Sequence, residues 1–120
     1  MHQMIDLAAE FATADVVVIT DNVNRRLALR SDPESLDALR SMLGSLGDGW
    51  RVPPTGVPVA RLRLNFRRGD EPVGNLGVGE TFLAAHVHGT FLARESDIET
   101  STRLLEALGA GSLLNRLEGQ

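Results

Sequence analysis

The sequence predicts an α+β fold, a two-layer sandwich in which an antiparallel sheet of about five strands is covered on one face by helices. Two patterns support this prediction. Stretches in which apolar and polar residues alternate indicate strands with one buried face. Leucines repeated every three or four residues indicate helices with one buried stripe. With 120 residues, the chain is expected to form a single α+β domain spanning residues 1–120.

The N-terminal part of the chain predicts a short helix followed by a β-hairpin. Residues 3–13 place apolar side chains at helical spacing. Asp15–Thr20 is a β-branched run typical of a strand, and Arg25–Arg30 alternates so that Leu27 and Leu29 are expected to point inward. The Asp and Asn residues between the two runs favour a tight turn, so the two strands are expected to pair.

A second helix is expected to begin at Ser31 or Asp32, because either side chain can cap it and Pro33 suits its first turn. The predicted buried stripe of this helix consists of Leu36, Leu39, Leu43 and Leu46. Residues 47–58 follow with three prolines and three glycines, a composition that predicts a loop.

Three more strands and another helix are expected in the second half. Val59–Arg67 shows the clearest alternation, and Pro72–Val78 shows a weaker one. Thr81–Ala93 predicts a third strand with a bulge at Gly89. The side chains expected to point inward from the first and third of these strands are Ala60, Leu62, Leu64, Phe66, Leu83, Ala85, Val87 and Phe91. A capping box at Ser96–Glu99 begins the last long helix.

The same alternation collects basic side chains on the opposite face of the sheet. They are Arg26, Arg30, Arg61, Arg63, Arg67, His86 and His88, and Asn65 and Asn75 accompany them. The planar guanidinium group grips a carboxylate or phosphate with two hydrogen bonds. This predicted face therefore suits an anionic ligand or an acidic protein surface, with Trp50 at its rim, since Trp is enriched at binding hot spots. The competing interpretation is a solvated face whose arginines pair with loop acids such as Asp70, Glu71 and Glu80.

Composition limits the possible partners. The net charge is −4 although all twelve basic residues are arginines, which codon usage alone could also produce. Few aromatic residues are available for base stacking, so nucleic acid is not expected as a partner. The N-terminus does not resemble a signal peptide, no apolar run is long enough to span a membrane, and there is no cysteine. The expectation is a cytoplasmic protein without a membrane partner.

The motif His86-Val87-His88 is the one pattern that could indicate a metal. Side chains at positions i and i+2 of a strand share a face, but a metal site needs at least a third ligand, and no spacing identifies one. No catalytic motif is recognisable either. The sequence therefore predicts no metal, no cofactor and no catalytic residue. An enzyme centred on His86 and His88 and a structural homodimer are the alternatives.

The order of elements resembles that of many small bacterial domains, several of which act as regulators, inhibitors or immunity proteins. The likeness concerns topology alone and identifies no residue. The hypothesis drawn from the sequence is a small non-enzymatic interaction domain. Its binding residues are expected to be Arg26, Arg30, Trp50, Arg61, Arg63, His86 and His88.

Overall fold

The computed structural model describes residues 5–53, 56, 59–87 and 89–117. The helices are α1 (Leu7–Glu10), α2 (Pro33–Leu43), α3 (Ile98–Ala107) and a closing 3-10 helix, η1 (Gly111–Arg116). The strands are β1 (Val16–Asp21), β2 (Arg26–Arg30), β3 (Leu62–Arg68), β4 (Glu71–Val78), β5 (Phe82–Val87) and β6 (Thr90–Glu95). The predicted α+β class with an antiparallel sheet is confirmed.

The six strands form one antiparallel sheet in the order β2-β1-β3-β4-β5-β6. The sixth strand arises where the sequence predicted a bulge. Gly89 has φ +75° and lies in a hairpin turn, which divides the expected strand Thr81–Ala93 into β5 and β6. The turn changes the phase of the chain, so Leu92 is buried and Phe91 is 43% exposed. The expectation that Phe91 points inward was wrong.

One face of the sheet, called the inner face, forms a single core with the helices. Its buried residues are Val17, Ile19, Leu62, Leu64, Phe66, Leu76, Val78, Leu83, Ala85, Val87 and Leu92. The helices contribute Leu7, Phe11, Leu36, Leu39, Leu43, Leu104, Leu105 and Leu108 to the same cluster. The inward positions predicted for Leu62, Leu64 and Phe66 of β3 are therefore confirmed, and those predicted for β5 are confirmed up to Val87. Ala60, which was also expected to point inward, precedes β3 and packs beside Gly77, outside the core cluster.

The short helix α1 packs on β3 through two stacked rings. The Phe11 and Phe66 ring centroids are 3.9 Å apart and the planes differ by 3°. Gly74 of β4 lies beside this pair, and a Cβ atom there would come within 2.7 Å of the Phe11 ring. A glycine is needed at position 74 because the backbone approaches the ring this closely.

The two longer helices begin at aspartates. Asp32 accepts a hydrogen bond from Ser35 N, and Asp97 accepts one from Thr100 N. Asp97, and not Ser96 of the predicted capping box, is thus the N-cap of α3. The buried Ser101 hydroxyl donates to the Gly79 carbonyl at 2.7 Å, which ties α3 to the end of β4.

Leu29 and Arg30 of the edge strand β2 have the opposite phase from the one predicted, whereas Leu27 packs partly on the core as expected. Val17 pairs with Arg30, and Val18 pairs with Leu29, so Arg30 shares the inner face and Leu29 lies on the other side. The Arg30 guanidinium donates to the Leu108 and Gly109 carbonyls at 2.7 and 3.2 Å. A cation there satisfies carbonyls left free at the end of α3 and complements the negative end of the helix dipole.

Trp50 is also placed differently from the predicted binding rim. Its side chain is fully buried, and its Nε1 donates to the Leu46 carbonyl at 2.6 Å. A large apolar ring with one satisfied polar atom is stable in a core. Trp50 is therefore a core residue that anchors its loop, and it is not available for contact with a partner.

We expect Leu64→Ala to lower the free energy of unfolding by roughly 2–5 kcal/mol, because it removes buried methyl groups and leaves a cavity. Leu64 is 0% exposed, whereas Val59 is 74% exposed. Val59→Ala is the matched control and should change stability by less than about 0.5 kcal/mol. Urea unfolding of both variants measures the difference, and equal midpoints would contradict the assigned phase of β3.

We expect Arg30→Met to lower stability by about 1–2 kcal/mol, since the hydrogen bonds from its guanidinium to the end of α3 are lost. Arg26→Met is the matched control, because Arg26 lies on the same strand and is exposed; its effect should stay below about 0.5 kcal/mol. Thermal and urea unfolding compare the two. Equally small effects of the two variants would mean that Arg30 points away from the core, as first predicted.

Candidate functional site

The face of the sheet opposite the core, called the outer face, carries two rows of side chains that run across all six strands. Residues paired across neighbouring strands share a face, so the register gives the rows directly. The central row is Leu29, Val18, Asn65, Asn75, His86 and Phe91. The neighbouring row is Arg26, Thr20, Arg63, Gly77, Ala84 and Ala93.

Arg63 and Arg67 of β3 point to the outer face, as the alternation predicted. Arg63 lies in the second row, and Arg67 pairs with Val16 and Pro72 at the other end of the strand. Within the described residues, neither side chain takes part in an ion pair or a hydrogen bond. The loop acids proposed as internal partners therefore do not neutralise them.

A cleft with a volume of about 420 Å³ opens beside the central row, over β3 and β4. It is lined by Asn65, Phe66, Arg67, Pro72, Val73, Gly74, Asn75, His86 and Gly89. No acidic side chain occurs among these described residues. The polar groups that the cleft presents are a guanidinium, two amides and an imidazole, all of which can donate hydrogen bonds.

The two amides of the cleft have different roles. Asn65 Nδ2 donates to the Val18 carbonyl at 2.9 Å and to the Thr20 hydroxyl at 3.0 Å, so this amide is fixed to β1. Asn75 is half-buried and, in the part of the chain described, makes no side-chain hydrogen bond. The cleft thus contains unused hydrogen-bond donors on Arg67, Asn75 and His86. Asn65 instead connects β3 to β1.

His86 forms a stack that the sequence did not predict. Its imidazole and the Phe91 ring have centroids 4.1 Å apart and planes that differ by 5°. The pair is adjacent because the turn around Gly89 places His86 directly opposite Phe91 in the hairpin. The signal that could have revealed it is Gly89 itself, since a glycine between two β-prone runs is as typical of a hairpin turn as of a bulge.

Arg61 belongs to a different location. It precedes β3 and lines a second cavity of about 240 Å³ together with Asp21, Asn22, Arg25, Asn115 and Arg116. Asp21 Oδ2 there accepts a hydrogen bond from Arg25 Nε at 2.7 Å. The predicted grouping of Arg61 with the histidines is therefore not found, and the outer-face cleft contains Arg67 in its place.

The other predicted binding residues are not gathered at one site. Arg26 lies exposed at the far edge of the outer face, on β2. Arg30 and Trp50 are removed from that surface, because one caps α3 and the other is buried in the core. His88 lies outside the described residues, so the expected pairing of His86 with His88 has no structural description.

Among the described residues, no group of three or more His, Asp or Glu side chains is arranged to hold a metal ion. In the same part of the chain, no helix is both long and apolar enough to cross a bilayer.

Comparison with known proteins adds no family. No protein-family model matches the chain, and searches of curated proteins and of solved structures return no significant match.

The buried Asp21 makes folding sensitive to acid. Burial of its carboxyl raises the pKa, but hydrogen bonds from Arg25 and Val23 N–H outweigh this and leave the pKa below its ordinary value of 3.8. A carboxyl with a lowered folded pKa contributes stability above the unfolded value and loses it as the pH falls through the folded value. Asp21 therefore stabilises the β1–β2 turn above pH 3.8.

We expect Asp21→Asn to be less stable than the parent at neutral pH, because the ion pair with Arg25 is lost. The difference between the two proteins should shrink as the pH is lowered below about 4, where the parent begins to bind the proton. Urea unfolding at a series of pH values measures it. A difference that stays constant from pH 7 to pH 2 would exclude a stabilising ionised Asp21.

Proposed function

We propose that this chain is a non-enzymatic binding domain that holds a small anionic ligand in the outer-face cleft. The observation that supports it best is the composition of the cleft, where Arg67 lies without a carboxylate partner among the described residues. Asn75 and His86 line the same space. Cations on a rigid sheet repel one another, so an anion that binds there gains both charge neutralisation and hydrogen bonds.

The size of the cleft favours a small molecule. Its volume of about 420 Å³ falls in the usual range of small-ligand sites, about 300–1,000 Å³. The walls combine apolar surface from Pro72 and Val73 with a few polar groups. Sites of this kind use the apolar walls for affinity and the polar groups to orient the ligand.

Binding is favoured over catalysis by the chemistry of the lining. Among its described residues there is no Ser, Thr, Asp or Glu that could act with His86 as a nucleophile or a second acid-base group. The His86 imidazole is stacked on a phenylalanine and has no such partner. It is therefore better suited to binding a ligand than to transferring a proton during nucleophilic attack.

An acidic protein surface is the second candidate. It is favoured by residues of the outer face that lie beyond the cleft, since Arg26 and Phe91 are exposed and Arg63 is half-buried. A partner that covers the whole outer face would contact all three residues. A ligand confined to the cleft would contact none of them directly. Arg63→Gln therefore separates the two candidates, because it should weaken protein binding and leave cleft binding almost unchanged.

We expect Arg67→Gln to weaken binding of small anions to the cleft by about tenfold, the loss of one charge-assisted hydrogen bond. Binding is measured by ¹H–¹⁵N chemical-shift titration with benzoate, citrate and inorganic phosphate, following the Asn75 and His86 amides. Added sodium chloride should weaken the interaction, because exposed charges are screened over about 8 Å at physiological ionic strength.

Arg68→Gln is the matched control. Arg68 is the adjacent residue, is exposed and does not line the cleft, so its loss should change the affinity less than about twofold. Both variants should keep the parent stability within about 0.5 kcal/mol. Equal affinities of the two variants, or the absence of any shift at the cleft amides, would contradict the proposed function.

A further inference from the structure

The second cavity, of about 240 Å³, lies where the β1–β2 turn, the start of β3 and η1 meet. Asp21 is the cross-strand partner of Leu62, so the residues that follow the one and precede the other, Asn22 and Arg61, are brought together. Leu117 follows η1 and is 1% exposed in the core, which anchors the end of that helix. The described lining therefore comes from three segments distant in sequence and consists of Asp21, Asn22, Arg25, Arg61, Asn115 and Arg116.

Charge in this cavity is unbalanced. Its described lining holds three guanidinium groups and one carboxylate, that of Asp21. The carboxylate is already engaged: Oδ1 accepts hydrogen bonds from Val23 N and Arg25 N at 3.0 and 2.9 Å, and Oδ2 accepts one from Arg25 Nε at 2.7 Å. Two arginines are left without a counter-charge among the described lining residues, although the chain as a whole has a net charge of −4.

The arginines of the cavity have unused hydrogen-bond donors. Arg61 and Arg116 make no ion pair and no side-chain hydrogen bond with any described residue. Arg25 uses Nε for Asp21, and its two terminal nitrogens have no partner in the described part of the chain. All three side chains are exposed, so a ligand reaches them directly from solvent. The Asn22 and Asn115 amides add further donors at the same place.

We propose that the second cavity binds one phosphate group with a charge close to −2. Two unpaired guanidinium groups match that charge, and each binds phosphate oxygens through its planar fork. Donors from three segments can surround a tetrahedral anion, whereas a planar carboxylate offers two oxygens in one plane.

The size of the cavity also favours a single phosphate group. Its volume of about 240 Å³ lies below the usual range of sites for larger small molecules, about 300–1,000 Å³. The cavity shares no lining residue with the outer-face cleft. This site is therefore separate from the one in the proposed function and does not depend on it.

The test compares inorganic phosphate and sulfate with acetate at pH 7.5 and constant ionic strength, using the full chain. We expect phosphate and sulfate to bind at least about tenfold more tightly than acetate, because both are tetrahedral and carry about two charges. Chemical-shift titration follows the backbone amides of Asn22, Arg25 and Asn115. Phosphate should also raise the Tm in a saturable way, since a ligand of the folded state alone stabilises that state.

Arg61→Gln and Arg116→Gln should each weaken phosphate binding by about tenfold, the loss of one charge-assisted contact. Arg26→Gln is the matched control, because Arg26 is adjacent to Arg25, is exposed and lines neither cavity. The control should change the affinity less than about twofold. Arg61 and Arg116 have no described partner, so both variants are expected to fold like the parent, and circular dichroism verifies this.

Methyl phosphate distinguishes the two sources of a phosphate group. An affinity within about threefold of that of inorganic phosphate would identify a phosphate ester whose remaining part extends into solvent. An affinity more than about tenfold lower would identify free phosphate as the ligand. Either result supports a phosphate site, provided that Arg61→Gln weakens the binding.

Three results would overturn the proposal. Acetate that binds as tightly as phosphate would reduce the site to non-specific charge attraction. Equal affinities of Arg26→Gln and Arg61→Gln would remove the cavity as the location, and so would the absence of shifts at the Asn22 and Asn115 amides. The Asn75 and His86 amides report the outer-face cleft separately, so a failure here leaves the proposed function standing.

Discussion

The burial of alternate residues of β3 is the constraint on which the rest of the structure depends. Leu62, Leu64 and Phe66 are fully or almost fully buried under the helices, and a strand has a period of two. The residues between and beyond them, among them Arg63 and Arg67, must therefore point outward. Since β3 is hydrogen-bonded to β1 on one side and to β4 on the other, its phase fixes the faces of its neighbours and, through them, the composition of the outer face.

Sequence patterns predicted the elements whose phase is determined by burial and failed where burial is weak. Along β3 an inward shift by one residue would bury an arginine, so a single solution exists. In the edge strand β2, Leu27 and Ala28 both pack partly on the core, and a register shift between Ile19 and Thr20 changes the alternation. The pattern of β2 alone therefore cannot decide whether its leucines or its arginine face inward.

The candidate site was predictable in its residue types and not in its geometry. Alternation indicated that Arg63, Asn65 and His86 lie on one face. It could not show that Asn65 is bonded to β1 while Asn75 is not, because that depends on which strands are neighbours. The stack of His86 on Phe91 was missed since it requires a hairpin turn at Gly89, and a single glycine does not distinguish a turn from a bulge.

Some of the arginines stabilise the fold, and others lie on the surface without a partner among the described residues. Arg30 donates through three different nitrogens to the carbonyls of Leu29, Leu108 and Gly109. Arg40 bonds the Ala14 carbonyl at 2.7 Å and thereby ties α2 to the segment before β1. A guanidinium has five donors in a fixed plane and serves several carbonyls at once, so part of the arginine content serves to connect helices to the sheet.

The main-chain hydrogen bonds beside Trp50 restrict the addition of a further strand to the sheet at β6. Arg51 N–H and C=O both bond Ala93 at 2.9 Å, in the middle of the outer edge of β6. An open edge is a template on which another chain can add a strand. With Ala93 already paired and Arg51 and Glu95 placing opposite charges 4.0 Å apart over the same edge, an incoming strand finds no continuous run of free amides. Trp50, which the sequence placed at a binding surface, thus anchors the segment that blocks strand addition at β6. The blocked edge also disfavours edge-to-edge aggregation from this side.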